Sequence, residues 1–165
     1  MSWSLEIMLK VVVIGIGATV ILDMFALLRA KLTGQPMMNW AMVGRWVGHF
    51  TMGTPVLRYP AEAAAIPGEK ALGWGFHYVI GIGLAATLTQ LVGPTWIEQP
   101  RLDWAVGFGA VTVILPWFFM QPGLGLGIAA RLAPAPWKVR RQSLTTHVVF
   151  GVGLYLSAVT LQSVF

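Results

Sequence analysis

Two short stretches decide how this chain folds: His77–Leu84 reads HYVIGIGL, and His147–Leu154 reads HVVFGVGL. A second pair precedes them in the same order, because Gly15–Phe25 reads GIGATVILDMF and Gly107–Phe118 reads GFGAVTVILPWF, with one inserted residue. Self-similarity at two places along a chain indicates a repeated structural unit. We therefore predict a duplicated hairpin of two apolar helices, with repeat one over about 8–92 and repeat two over about 104–164.

The composition of the chain is typical of a membrane protein. It is 56% hydrophobic and only 10% charged, and its mean hydropathy is +0.72. Four stretches, about 8–28, 71–92, 104–121 and 143–164, approach the roughly 20 apolar residues that a helix needs to cross a bilayer. We expect an all-α integral membrane protein with four transmembrane helices, which form a single transmembrane domain over residues 1–165.

Basic residues are distributed unevenly among the loops. The loop 29–70 carries five and the loop 122–142 carries four, whereas the loop 93–103 has only Arg101, beside Glu98 and Asp103. By the positive-inside rule the two basic loops face the cytoplasm and both termini face the periplasm of a bacterial inner membrane. The formal net charge of +5 then reflects contact with membrane lipids, and no nucleic-acid recognition motif accompanies it.

A shorter amphipathic segment lies within the first basic loop. Over Met38–Met52, one helical face carries Trp40, Val43, Val47 and Phe50, and another carries Arg45 and His49. At ~22 Å if fully helical, this segment is too short to cross a bilayer. We expect an interfacial helix on the cytoplasmic leaflet, with a re-entrant helix as the alternative.

Several polar side chains fall at one depth of the expected bundle. At a rise of ~1.5 Å per residue, Asp23 lies ~8 Å, His77 ~9 Å and His147 ~6 Å inside the cytoplasmic boundary. Gln121 closes the third span at the same face, where QPGLGLG over Gln121–Gly127 cannot continue a straight helix. Ionisable residues in a membrane are costly and usually face the bundle interior. This pattern predicts a polar site near the cytoplasmic face.

The duplication gives this site two equivalent histidines. His77 and His147 are each followed one turn later by a glycine, Gly81 and Gly151. Two opposed histidines with space beside them are suited to a haem ligated by both imidazoles. We therefore predict these four residues as a cofactor-binding set, which would make the chain an electron-transfer or cofactor-handling protein.

A divalent metal is the second ligand that suits the histidines. Asp23 or His49 would then complete the coordination of an ion held by His77 and His147. The alternative is that the two histidines act only as hydrogen-bond partners between helices.

Asp23 also supports a different hypothesis. Without a cofactor, Asp23 and Gln121 predict proton handling in a small proton-linked transporter. The competing interpretation pairs the Asp23 carboxylate with Arg29 or with Arg45.

The sequence carries no catalytic signature and favours a non-enzymatic role. No nucleophile elbow, zinc-protease, Walker or dinucleotide-binding motif is present, and the chain contains no cysteine. Glu62 and Glu69 are expected to be solvated carboxylates of the inner loop. A third class of function is a structural subunit of a larger membrane complex, or a homo-oligomer, in which glycine-rich helix faces form the contacts.

Four segments together resemble a known family. They are Pro60-Ala61-Glu62, GWGFHY over Gly73–Tyr78, PWFFMQPGLG over Pro116–Gly125, and SLTTH over Ser143–His147. The chain is similar in these segments to an uncharacterised family of small four-helix bacterial inner-membrane proteins, described only as a domain of unknown function. The resemblance implies a fold and a location, and it implies no activity.

Overall fold

The computed structural model describes residues 3–164, and helices are the only regular secondary structure within that range. The elements are α1 (Leu5–Thr33), α2 (Trp40–Thr51), α3 (Glu69–Val92), α4 (Thr95–Glu98), α5 (Leu102–Val111), a π-helical segment (Pro116–Met120), α6 (Gln121–Gly123), a 3₁₀ turn (Ile128–Ala130) and α7 (Pro136–Val164).

Four segments are long and apolar enough to cross a membrane: Leu5–Thr33, Glu69–Val92, Leu102–Gly123 and Pro136–Ser163. They confirm the predicted all-α class with four spans and fit a small polytopic membrane protein. The duplication of a hairpin and the single domain over residues 1–165 stay predictions.

Caps, rather than hydropathy, set the ends of the first span. The Ser4 hydroxyl accepts a hydrogen bond from the Ile7 N–H at 3.2 Å, which satisfies a donor of the first turn. At the other end Gly34 adopts a φ of +68° and its N–H donates to Ala30 O. Such a left-handed residue ends a helix readily when it is glycine. The helix therefore runs to Thr33, beyond the apolar stretch that ends near residue 28.

The amphipathic helix of the first basic loop is confirmed as α2. The side chain of Asn39 caps it by accepting a hydrogen bond from the Met42 N–H at 3.3 Å. Val43 is fully buried and Phe50 is exposed. Whether this helix lies at the interface or re-enters the membrane stays a prediction.

The third span is interrupted. α5 ends at Val111, and a π-helical segment begins at Pro116, where proline supplies no N–H for a helical hydrogen bond. The Gln121 N–H closes the π segment on Pro116 O. α6 then ends at Gly123, which confirms that Gln121–Gly127 does not continue a straight helix.

The chain divides into two compact units. Unit 1 contains α1, Tyr78–Val111 and the chain from Thr146 onward, and unit 2 contains Met37–His77 and Thr112–Thr145. The core of unit 1 is mainly aliphatic and includes Ile14, Ala18, Leu88 and Leu154. The core of unit 2 is small and is built on Val43, Trp46, Leu57 and Leu124.

Candidate functional site

The intramembrane carboxylate Asp23 has a tyrosine partner. The Tyr78 hydroxyl donates to Asp23 Oδ2 at 3.0 Å, and the two residues are 55 positions apart in the sequence. Both residues are half-buried. The contact therefore joins the first and second spans through polar groups that lie within apolar helices.

A close crossing of α1 and α3 positions this pair. A Cβ added at Gly15 would lie 2.5 Å from Ile82 Cα and 3.1 Å from Gly81 O, so the two backbones are in direct contact there. Asp23 lies about two turns after Gly15 along α1, and Tyr78 lies about one turn before Ile82 along α3. Because the contacting segments run antiparallel, these offsets carry both side chains to the same side of the crossing.

His77 lies in an aromatic environment within unit 2. Its ring stacks on Trp40 with centroids 4.0 Å apart, and Trp74 meets it edge-on at 5.9 Å. Trp40 belongs to α2, so the stack attaches the start of α2 to α3. One face of the imidazole is therefore covered by an indole.

His147 lies in unit 1, where α7 crosses α5. A Cβ added at Gly109 would lie 2.5 Å from His147 O and 2.8 Å from Gly151 Cα. A Cβ added at Gly151 would lie 2.5 Å from Ala105 O. The space beside Gly151 is therefore filled by the backbone of α5.

The space beside the other predicted glycine is filled as well. A Cβ added at Gly81 would overlap the Thr19 hydroxyl and lie 3.4 Å from Gly15 O. Both glycines that were predicted to clear room for a flat cofactor are thus in contact with a neighbouring helix. Ligation of a haem by His77 and His147 stays a prediction, without support from the packing around these glycines.

The predicted metal ligands do not form a cluster. Among residues 3–164, no group of three or more His, Cys, Asp and Glu side chains is arranged so that it could hold a metal ion. His49 Nε2 lies 2.9 Å from Ala64 O, and therefore contacts the backbone of the loop after α2. Metal binding by His77, His147, Asp23 and His49 stays a prediction.

The strongest polar contact of unit 2 is one that the sequence did not reveal. Arg45 Nε and Nη2 donate to the two carboxylate oxygens of Glu69, each at 2.8 Å. The two side chains are only 17% and 18% exposed. The hydrogen bonds that Arg45 donates to Glu69 raise the pKa of Arg45. The expectation that Glu69 is merely solvated is wrong, because α2 packs directly against the start of α3, whereas Glu62 is exposed as expected.

Arg45 also anchors the loop between α2 and α3. Its Nη1 donates to Pro60 O at 3.2 Å and to Ala63 O at 3.1 Å. A planar guanidinium can hold a carboxylate and two carbonyl groups at once. The Arg45 side chain is therefore engaged by Glu69 and this loop, and the interpretation that pairs Asp23 with Arg29 or Arg45 stays a prediction.

The interrupted third span contains two polar groups without partners. Gln121 is 2% exposed, and its Nε2 donates to Ser143 Oγ at 3.1 Å. Its Oε1 and the indole Nε1 of Trp117 are buried and have no hydrogen-bond partner among the described residues. An acceptor and a donor, one turn apart on the same segment, are therefore unsatisfied. Unpaired buried polar groups are rare and indicate a water, an ion or a ligand.

Sequence reasoning placed Asp23, His77, His147 and Gln121 at one depth, and it missed Tyr78 and the Arg45–Glu69 pair. A signal for Tyr78 existed, because it follows His77 directly and therefore shares the depth of Asp23. For Arg45 and Glu69 the signal was weaker: opposite charges on two successive helices, with no indication of how the intervening loop runs.

Comparison with known proteins identifies the family. The family model for proteins of unknown function named DUF2938 matches residues 12–161. This chain belongs to that family. The match confirms the resemblance to an uncharacterised family, and the family description assigns no activity. No curated protein and no solved structure matches the chain.

Proposed function

We propose that this member of the DUF2938 family is a small proton-linked transporter of the bacterial inner membrane. The observation that carries the proposal is the 3.0 Å hydrogen bond from the Tyr78 hydroxyl to the Asp23 carboxylate. Ionisable groups within membrane spans typically belong to proton relays and substrate pathways. Asp23 is the group that would gain and lose the proton, and Tyr78 positions it.

The proton step has a simple structural consequence. The ionised carboxylate of Asp23 is a strong acceptor for the Tyr78 hydroxyl. Protonation removes its charge and weakens this bond between α1 and α3. The same two helices are in backbone contact at Gly15 and Ile82. Proton uptake would therefore change the packing of the first span against the second.

Gln121 and Trp117 supply the candidate contacts for the transported molecule. Discontinuous membrane helices commonly form the substrate sites of secondary transporters, and π-helical turns often occur at functional sites. The unpaired Gln121 Oε1 can accept a hydrogen bond, and the unpaired Trp117 Nε1 can donate one. We infer a substrate with a polar group that both donates and accepts. An amide does not titrate near neutral pH, so Gln121 acts in this proposal by hydrogen bonding rather than as a proton carrier.

The orientation, the partners and the cofactors belong to this proposal too. We place both basic loops on the cytoplasmic side and both termini on the periplasmic side, on the basis of the positive-inside rule. Lipids surround the four spans. Haem or metal binding by the histidines, a homo-oligomer and a structural subunit are the alternatives, and none of them is favoured by a contact among the described residues.

Transport can be tested in everted membrane vesicles that carry a dye sensitive to the pH gradient. The vesicles are energised, and a panel of alkali cations, amino acids, organic acids and quaternary ammonium compounds is added one compound at a time. We expect at least one compound to dissipate the gradient with the wild-type protein and not with Asp23→Asn. The matched control is Asp103→Asn, which removes an exposed carboxylate paired with Arg101.

Tyr78→Phe separates proton handling from folding. It removes only the hydroxyl, and we expect slower flux at an unchanged level of folded protein in the membrane. Equal flux in the wild type, Asp23→Asn and Tyr78→Phe would contradict the proposed role of the pair. A flux lost equally in Asp103→Asn would show that the effect is not specific to Asp23.

A further inference from the structure

Unit 2 has a concentration of exposed cations that the proposed transport does not use. We call Arg58, Arg131, Lys138 and Arg141 the basic patch; all four are exposed. No salt bridge to any of them is formed within the part of the chain that the structure describes. From Trp104 to the end of the sequence, the chain contains no aspartate and no glutamate. The positive charge of this segment is therefore not neutralised by acids close in sequence.

A glycine-rich turn over residues 123–131 contacts the chain beside Arg58 and contains Arg131. The Leu57 N–H donates to Gly123 O at 2.8 Å, so the residue before Arg58 is hydrogen-bonded to the end of α6. A Cβ added at Gly127 would lie 2.9 Å from Arg131 Cγ. Arg58 and Arg131 are thus both fixed to the glycine-rich turn over 123–131.

The first turns of α7 attach to the same turn. Arg140 Nε donates to Ala129 O at 2.7 Å, which uses this arginine to satisfy a backbone carbonyl. Lys138 and Arg141 flank Arg140 on α7 and are exposed. Arg140 therefore attaches the start of α7 to this turn, while the four cations of the patch are exposed.

Three of the four cations of the patch stand next to an exposed apolar or aromatic side chain. Tyr59 follows Arg58 and is 63% exposed, Leu132 follows Arg131 and is 66% exposed, and Trp137 precedes Lys138 and is 73% exposed. A soluble anion would need only the charges, and no nucleic-acid recognition motif accompanies these cations. Cations interleaved with exposed tryptophan, tyrosine and leucine are typical of the boundary between lipid headgroups and acyl chains.

We propose that the basic patch is a binding site for the headgroup of an anionic phospholipid. The phosphodiester would be bound by Arg131, Lys138 and Arg141, with Trp137 and Leu132 inserted beside the glycerol backbone. Arginine and lysine close to a membrane surface are attracted to anionic lipid. This inference is independent of the transport proposal, because it uses neither Asp23 nor Tyr78.

The test compares two lipids with the same acyl chains, phosphatidylglycerol and phosphatidylcholine. The full-length protein is exchanged into mixed micelles that contain both, and the lipid retained on the protein is measured by native mass spectrometry. We expect the wild type to retain phosphatidylglycerol preferentially. The triple variant Arg131→Gln, Lys138→Gln, Arg141→Gln should retain less, by roughly tenfold or more.

A control with the same loss of charge decides whether the site is local. Lys10→Gln, Lys31→Gln, Arg101→Gln removes three cations outside the patch, and we expect it to retain phosphatidylglycerol as the wild type does. An equal loss in this control would indicate bulk attraction and overturn the proposal. Equal retention of phosphatidylglycerol and phosphatidylcholine by the wild type would overturn it as well. The same holds if free glycerol phosphate displaces bound phosphatidylglycerol as effectively as the intact lipid does.

Two further variants keep the test decisive if the triple variant does not fold. Lys138→Gln alters one exposed side chain, and we expect a partial loss of phosphatidylglycerol. Arg131→Lys with Arg141→Lys keeps the charge, and we expect retention close to that of the wild type. Two results together would contradict a charge-dependent site. They are unchanged retention of phosphatidylglycerol in Lys138→Gln, and a loss of phosphatidylglycerol in the double lysine variant as large as that expected when the charges are removed.

Discussion

Polar side chains of units 1 and 2 illustrate two ways of satisfying hydrogen bonds. In unit 1 the threonine hydroxyls bond within their own helices, as Thr19 does to Gly15 O and Thr89 to Ala85 O, at 2.8 Å and 2.9 Å. In unit 2 polar side chains reach across loops, as Arg45 does to Pro60 O and Ala63 O. Because lipid offers no hydrogen bonds, a span must satisfy itself locally, whereas irregular backbone needs distant side chains.

This difference makes the Asp23–Tyr78 pair informative. It lies in unit 1, yet it is a contact between side chains of two different spans. An apolar pair would pack there at lower cost, since polar residues inside a membrane are expensive. A polar contact between side chains of two apolar spans is the reason we assign a function to this pair.

The largest effect that we expect concerns the close helix crossing of unit 1. Gly109→Leu would place its side chain against His147 O and Gly151, and should destabilise the fold by about 3 kcal/mol or more. Gly107→Leu is the matched control, because nothing lies within 4 Å of a Cβ added there. Equilibrium unfolding in mixed micelles measures both, and equal stabilities would contradict the observed crossing.

A smaller effect is expected in the core of unit 2. Trp46 donates to Pro55 O at 2.9 Å and packs against Gly123. Trp46→Phe should destabilise the protein by about 2 kcal/mol, from the lost hydrogen bond and the volume left empty. Trp137→Phe, at a side chain that is 73% exposed, should leave the unfolding curve unchanged.

The loop of unit 2 should respond locally to the loss of Arg45. In Arg45→Gln we expect hydrogen exchange over residues 52–68 to become roughly tenfold faster, while α1 keeps its protection. Uniformly faster exchange in both units would show instead that Arg45 supports the whole fold.

The contact between Arg45 and Glu69 should persist in alkaline buffers. The pKa of Arg45 is raised above its ordinary value by the hydrogen bond to Glu69. A raised pKa means that the stabilisation is complete below the unfolded-state pKa and is lost only as the pH rises through the raised value. The chemical step of hydrogen exchange becomes faster as the pH rises. Between neutral and mildly alkaline pH, we therefore expect exchange over residues 52–68 to become faster only by as much as this chemical step does.

The smallest effect on stability is expected for Tyr78→Phe. Side-chain hydrogen bonds between membrane helices contribute about 0.6 kcal/mol on average, so the unfolding curve should shift little. A shift as large as that of Trp46→Phe would mean that the pair is a structural support.

The sequence predicted the parts of this fold that depend on local pattern. Apolar runs located the four spans, the 3.6-residue period located α2, and QPGLGLG located the bend after the third span. The sequence could not show what occupies the space beside Gly81 and Gly151. A glycine one turn from a histidine leaves room either for a ligand or for another helix, and only the packed structure shows that helices occupy this space.

The partner of a polar side chain was equally inaccessible. Arg45 and Glu69 are 24 positions apart, and Asp23 and Tyr78 are 55 positions apart. Pairing over such separations depends on the path of the loops and on the helix crossings. The depth of Asp23 was predicted from the rise per residue, whereas its partner required the crossing at Gly15.

The most direct test of the account is whether Asp23 exchanges a proton in the membrane. Infrared difference spectra, recorded on acidification of the protein in lipid, report the C=O stretch of a protonated carboxyl group. We predict a band that is absent in Asp23→Asn, displaced in Tyr78→Phe and unchanged in Asp103→Asn. A spectrum of Asp23→Asn identical to that of the wild type would show that this carboxyl group takes up no proton, and would contradict the proposed function.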